Sequence, residues 1–85
     1  MSIFVDGFDD AFIGMLESGG DVPVAVYNYE ACIKILGERD GIGREGAIEY
    51  LDFNVLNTWM GEATPLFINP CSMEHARMIA EDGYD

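Results

Sequence analysis

An α+β domain is predicted: a small sheet of about three strands in the order β-β-α-α-β, packed on a helix pair, with a short C-terminal helix. Three observations carry it. Two short apolar runs stand either side of a Ser18-Gly19-Gly20-Asp21 loop, as in an antiparallel hairpin. Two stretches of apolar residues at helical spacing follow, and then a glycine turn and a third β-like run with proline near its start.

In chain order, Ile3-Phe4-Val5 is a brief apolar run, and Asp6-Gly7-Phe8-Asp9-Asp10 has the composition of a turn. Residues 11–17 fit a strand better than a helix, since Gly14 interrupts them and a glycine-rich loop follows. Residues 23–27, Pro-Val-Ala-Val-Tyr, are short and β-branched and form the second strand. Asn28 is suited to cap a helix whose stripe is Tyr29, Cys32, Ile33 and Leu36, ending near Arg39, with Asp40-Gly41 as its stop. The next helix begins at Gly43 or Arg44 without a strong cap and runs to about Thr58 on Ala47, Ile48, Leu51 and Val55, flanked by Tyr50, Phe53 and Trp59. Residues 64–68 make the third strand. Ser72 caps a helix from Met73 to about Ala80 that turns Met73, Ala76, Met78 and Ile79 to the core.

Strand alternation places Ala11, Ile13 and Met15 on one face and Phe12 and Leu16 on the other, so both faces of the sheet are apolar. Either the C-terminal helix or a second subunit covers the further face.

Eighty-five residues make one domain with a modest core and little depth for a catalytic cleft. A hydrophobic share of 49% is enough to fold. Sixteen acidic residues against four basic ones, Lys34, Arg39, Arg44 and Arg77, give a net charge of −12. That balance disfavours direct binding to nucleic acid or to an anionic membrane, and it favours fast, salt-sensitive association with basic proteins. It also keeps a small protein dissolved, which is the plainer explanation of acidity. With no signal-peptide pattern, no apolar run long enough to span a membrane and two cysteines that form no framework, the chain is placed in the cytoplasm with free thiols.

The chemistry-bearing patterns are weak. Asp6, Asp10 and Glu17 occupy places one, five and twelve of an EF-hand loop, but the third place is Phe8 and the sixth is Ala11 where glycine is needed, so no calcium site is expected. Cys32, Cys71 and His75 are too few for a structural zinc site. Cys71 and His75, four apart, have the spacing of a nucleophile and base without a third residue or an oxyanion hole. Gly41-Ile42-Gly43 is a lone G-x-G among acidic neighbours, better read as a helix stop than a phosphate loop. No enzyme, metal or cofactor is expected.

Glu45, Glu49 and Asp52 lie at i, i+4 and i+7 of the second helix, an exposed row spaced about 6 Å and then about 4.5 Å along the axis. That spacing is comparable to successive phosphates on a nucleic-acid strand. The plainer explanation of the row is the solvent face of an amphipathic helix. Asp9 and Asp10 extend the acidic field.

The runs N-Y-E-A-C-I-K-I-L-G-E-R-D-G, A-I-E-Y-L-D-F-N-V and W-M-G-E-A-T-P-L-F resemble a group of small acidic proteins that recur in phages and prophages. The resemblance covers Asp6 to Ile68, and F-N-V with W-x-G-E-x-T-P-x-F is its most distinctive part. It implies a viral source, a host-cell cytoplasmic setting and no catalytic residue; the chain from Asn69 onward lies outside it. Small acidic phage proteins include nucleic-acid mimics that occupy the binding groove of host defence complexes, as several anti-CRISPR and anti-restriction proteins do. The expectation is therefore a non-catalytic protein that presents Glu45, Glu49, Asp52, Asp9 and Asp10 to a basic host nucleic-acid-binding protein. The alternative is a structural or assembly module acting as a homo-oligomer, its acidity serving only solubility.

Overall fold

The computed structural model describes residues 3–17, 22–53 and 63–82. Their order is a 3-10 turn at Asp9–Ala11, β1 at Phe12–Leu16, β2 at Val24–Asn28, α1 at Tyr29–Asp40, α2 at Arg44–Leu51, β3 at Leu66–Ile68 and α3 at Met73–Asp82. The α+β architecture is that expected from the sequence. The hairpin loop, the end of the second helix with Val55, and Trp59 lie outside the described residues.

The three strands lie in the order β1-β2-β3. β1 pairs antiparallel with β2, and β3 pairs parallel with β2, with Val26 opposite Leu66 and Asn28 opposite Ile68. A parallel return needs a crossover, and α1 and α2 supply it. Both helices therefore contribute to one face of the sheet, where Ala25 and Tyr27 of β2 are buried together with Cys32, Ile33 and Leu36 of α1 and Ala47 and Leu51 of α2.

Helix α1 begins and ends as its sequence dictates. The Asn28 side chain accepts a hydrogen bond of 2.9 Å from the Ala31 N–H, satisfying one of the orphan donors of the first turn. Gly41 closes the helix in the left-handed region at φ 68°, which costs glycine little. A second cap comes from a distance: Asn69, just past β3, accepts the Glu30 N–H at 3.2 Å. Parallel pairing of Asn28 with Ile68 brings Asn69 to the helix start. As expected, Gly43 gives α2 no side-chain cap. Helical winding continues through Asp52 and Phe53 as a π turn.

Four expectations are corrected. Ala11 belongs to the 3-10 turn, and β1 starts at Phe12. The register slips between Phe12 and Gly14, so Phe12 opposes Tyr27 and Met15 opposes Ala25. This bulge at Ile13 moves Phe12 onto the core-side face with Met15, away from Leu16, because one extra residue reverses the alternation. The C-terminal helix does not join the core: Met73 and Met78 are exposed, Ala76 and Ile79 are half-buried, and α3 makes no extensive contact with another described element. Its start agrees with the sequence, since Ser72 Oγ accepts the His75 N–H at 3.0 Å. Tyr50 and Phe53, expected to flank the core, are exposed.

Leu36 is fully buried, whereas Asn28 contributes one capping bond at a half-buried position. Leu36→Ala is expected to lower the unfolding free energy by about 2–5 kcal/mol and Asn28→Ala by about 1 kcal/mol. Urea titrations followed by circular dichroism check this; comparable losses in the two variants would contradict the assigned roles.

Candidate functional site

The residues leading into β1 build one side of the molecule. Gly7 takes φ 87°, in the left-handed region, and a Cβ added there would stand 2.6 Å from the Arg39 Nη1. The positive φ is what favours glycine here; the guanidinium tip above it is the far end of a flexible side chain that can shift. Arg39 lies 5.5 Å from the centroid of the Phe8 ring, which is buried. The chain then winds through the 3-10 turn, with the Ala11 N–H donating to the Phe8 carbonyl at 2.9 Å, and this turn packs on α1.

Asp9 and Asp10 sit in that turn, both exposed, and point to different places. Asp9 lines an open recess with Phe4, Phe12 and Tyr27. Asp10 lines a shallow groove along α1 with Lys34, Ile35 and Glu38.

Of the row on α2, Glu45 and Glu49 are exposed as expected, but Asp52 is half-buried. It lies near Tyr29, whose phenol is raised by burial and then by the Asp52 and Glu30 carboxylates. The Asp52 backbone is still helical, at φ −62° and ψ −47°, with its N–H directed at the Ile48 and Glu49 carbonyls, so the difference lies in what covers the side chain. The outward row is thus Glu45 and Glu49.

Two of the four cations are engaged at the surface by groups of the chain itself. Arg44 grips Glu30 with both terminal nitrogens, at 2.6 and 2.7 Å, tying the first turn of α2 to that of α1. This hydrogen bonding holds the Glu30 carboxyl below its usual range. Arg39 spans Phe8 and the Asp40 carboxylate, the latter at 3.3 Å. Among the described residues no cation pairs with Glu45, Glu49, Asp9 or Asp10. The acidic surface and the turn are carried by separate elements, both packed on α1.

Cys71 and His75 do meet in one open cleft, between the start of α1 and the start of α3, with Glu30, Asn69 and Ser72 on its walls. The arrangement stops short of a catalytic triad. Ser72 Oγ is used as a helix cap, Glu30 is committed to Arg44, and no hydrogen bond joins Cys71 to His75 among the described residues. Nor do the described residues place three or more His, Cys, Asp or Glu side chains where they would hold a metal ion. No described helix is long and apolar enough to cross a membrane.

The sheet face turned away from α1 and α2 is open. Pairing and alternation put Leu16, Val24, Val26, Leu66 and Ile68 on it. Leu16, Leu66 and Ile68 remain 43%, 43% and 42% exposed. The sequence showed that this face is apolar, and the structure shows that α3 leaves it uncovered. What sequence reading missed is the recess of Phe4, Phe12, Tyr27 and Asp9: the alternation rule assigns Phe12 to the wrong face, and the bulge that corrects it has no signal beyond Gly14.

The two thiols differ sharply. Cys32 is fully buried, and burial pushes its thiol up to about 11, whereas Cys71 is exposed. A disulfide-exchange reagent at pH 8 is expected to titrate one thiol per native chain and the second only in denaturant; two fast equivalents in the native state would contradict the burial of Cys32. Because the folded thiol ionises later than the unfolded one, Cys32 contributes a stability that is complete below pH 9 and declines as pH rises towards 11.

Comparison of the chain with protein-family models, curated proteins and solved structures gives no match.

Proposed function

We propose that the protein is a non-catalytic, phage-type acidic protein that binds a basic nucleic-acid-binding protein, acting as a nucleic-acid mimic against a host defence complex of the anti-CRISPR or anti-restriction kind. One observation carries the reading: Glu45 and Glu49 project from α2 with no cation paired to them among the described residues, while Arg39 and Arg44, although exposed, are engaged by groups of the chain itself. Cations already engaged within the chain compete less for the free carboxylates, which leaves those carboxylates to a basic partner as a mimic requires. The phage source rests on the F-N-V and W-x-G-E-x-T-P-x-F runs.

Immobilised protein is expected to retain a basic nucleic-acid-binding protein from bacterial lysate at low salt and to release it at about 1 M salt, where charges are screened beyond about 3 Å. Added DNA competes, and Glu45→Lys/Glu49→Lys lowers retention about tenfold. Retention independent of salt, of DNA and of these substitutions counts against mimicry.

A second reading, a homo-oligomeric assembly module, is favoured by the open sheet face of Leu16, Leu66 and Ile68. Burying that face between two copies predicts a mass of twice 9.4 kDa by light scattering, returning to 9.4 kDa in Leu66→Lys. A wild-type chain that stays at 9.4 kDa at high concentration removes this reading.

A further inference from the structure

Phe4 and Phe12 are large apolar side chains left 60% and 41% exposed. They are nevertheless organised. Their ring centroids stand 6.2 Å apart with a tilt of 53°, and Phe12 meets the buried Tyr27 edge-on at 5.6 Å. The recess between these rings has a volume of about 210 Å³, and its remaining wall is Asp9. Aromatic faces carry the negative end of the ring quadrupole, and Asp9 adds a carboxylate with which no described cation forms an ion pair. Two exposed rings and a carboxylate, backed by the buried Tyr27, make a receptor for an organic cation.

We propose that this recess binds the guanidinium of an arginine presented by a basic protein partner. Its volume falls below the roughly 300–1,000 Å³ of small-molecule pockets and suits one side chain. Guanidinium is planar and weakly hydrated, stacks on aromatic faces and pairs with a carboxylate through two donors; an ammonium group holds its water more tightly. The chain itself makes this contact elsewhere, with Arg39 lying 5.5 Å above Phe8. A net charge of −12 draws such a partner in. The inference rests on the reading that the partner is a basic protein, and it adds an anchoring site apart from the α2 carboxylates.

The test is an NMR titration of the full chain with acetyl-arginine-amide, methylguanidinium and acetyl-lysine-amide at fixed ionic strength. Arginine and methylguanidinium are expected to shift the ring resonances of Phe4 and Phe12 and the amide of Asp9, with lysine about threefold weaker or more. Phe4→Ala and Asp9→Asn, both at exposed positions, should each weaken binding about threefold to tenfold, and Glu81→Gln on α3 should not. Shifts that follow sodium chloride alone, or that survive both substitutions, overturn the site. The lysate experiment separates the two proposals, because Phe4→Ala leaves every carboxylate in place. Reduced retention by Phe4→Ala supports the arginine site. Unchanged retention by it, together with release by Glu45→Lys/Glu49→Lys, overturns the recess and leaves the acidic row standing.

Discussion

The fold turns on Tyr27. It lies on the middle strand and is 1% exposed, so its hydroxyl must find a partner inside the protein or cost the core a buried polar group. The partner is the Val5 N–H, which donates to it at 2.9 Å. That one bond pins the N-terminal segment across the sheet. With Val5 held, Phe8 and Ala11 enter the core, and Phe4 is brought against Phe12. The ring of Tyr27 joins both neighbouring strands, edge-on to Phe12 and stacked at 5.5 Å on Phe67. Central strand, edge strands and N-terminal segment therefore share one aromatic seam.

The same arrangement governs the charge. In a chain with so few cations, where each one goes decides where negative potential survives. Arg39 is used over Phe8, stabilising the turn that begins at Gly7, and Arg44 is used on Glu30, joining the starts of the two helices. Both are structural ties. Glu45, Glu49 and Asp9 are left facing water without a described counter-charge, and Asp9 does so beside three aromatic rings.

Placing both crossover helices on one side has an unavoidable consequence. A three-stranded sheet with apolar residues at successive positions of its middle strand has two faces to bury, and the described helices α1 and α2 cover one. Asn69 and the Ser72 cap set the start of α3, but that helix stands off and contributes little burial. Exposed aliphatic groups on the second face retain a driving force of about 25 cal/mol for each Å² they could bury, which is why an assembling surface remains the competing reading.

Most of the fold was legible in the sequence because its signals are local. Asn28 and Gly41 bracket α1 through a side-chain cap and a left-handed turn, each a matter of a few neighbouring residues. The stripe of Cys32, Ile33 and Leu36 repeats at helical period, and the β-branched run before Asn28 reads as a strand wherever it sits. Glu45 and Glu49 were legible as an outward pair for the same reason. Tertiary structure alone decided the rest. The bulge that turns Phe12 towards Tyr27 arises from pairing with β2, so alternation counted along β1 gives the wrong face. The second cap on α1 depends on parallel pairing that brings Asn69 to Glu30, and the loss of Asp52 from the acidic row depends on its proximity to Tyr29. The aromatic recess needs Phe4, Asp9, Phe12 and Tyr27 in one place, and the distant contact that gathers them is a buried hydroxyl finding a backbone amide.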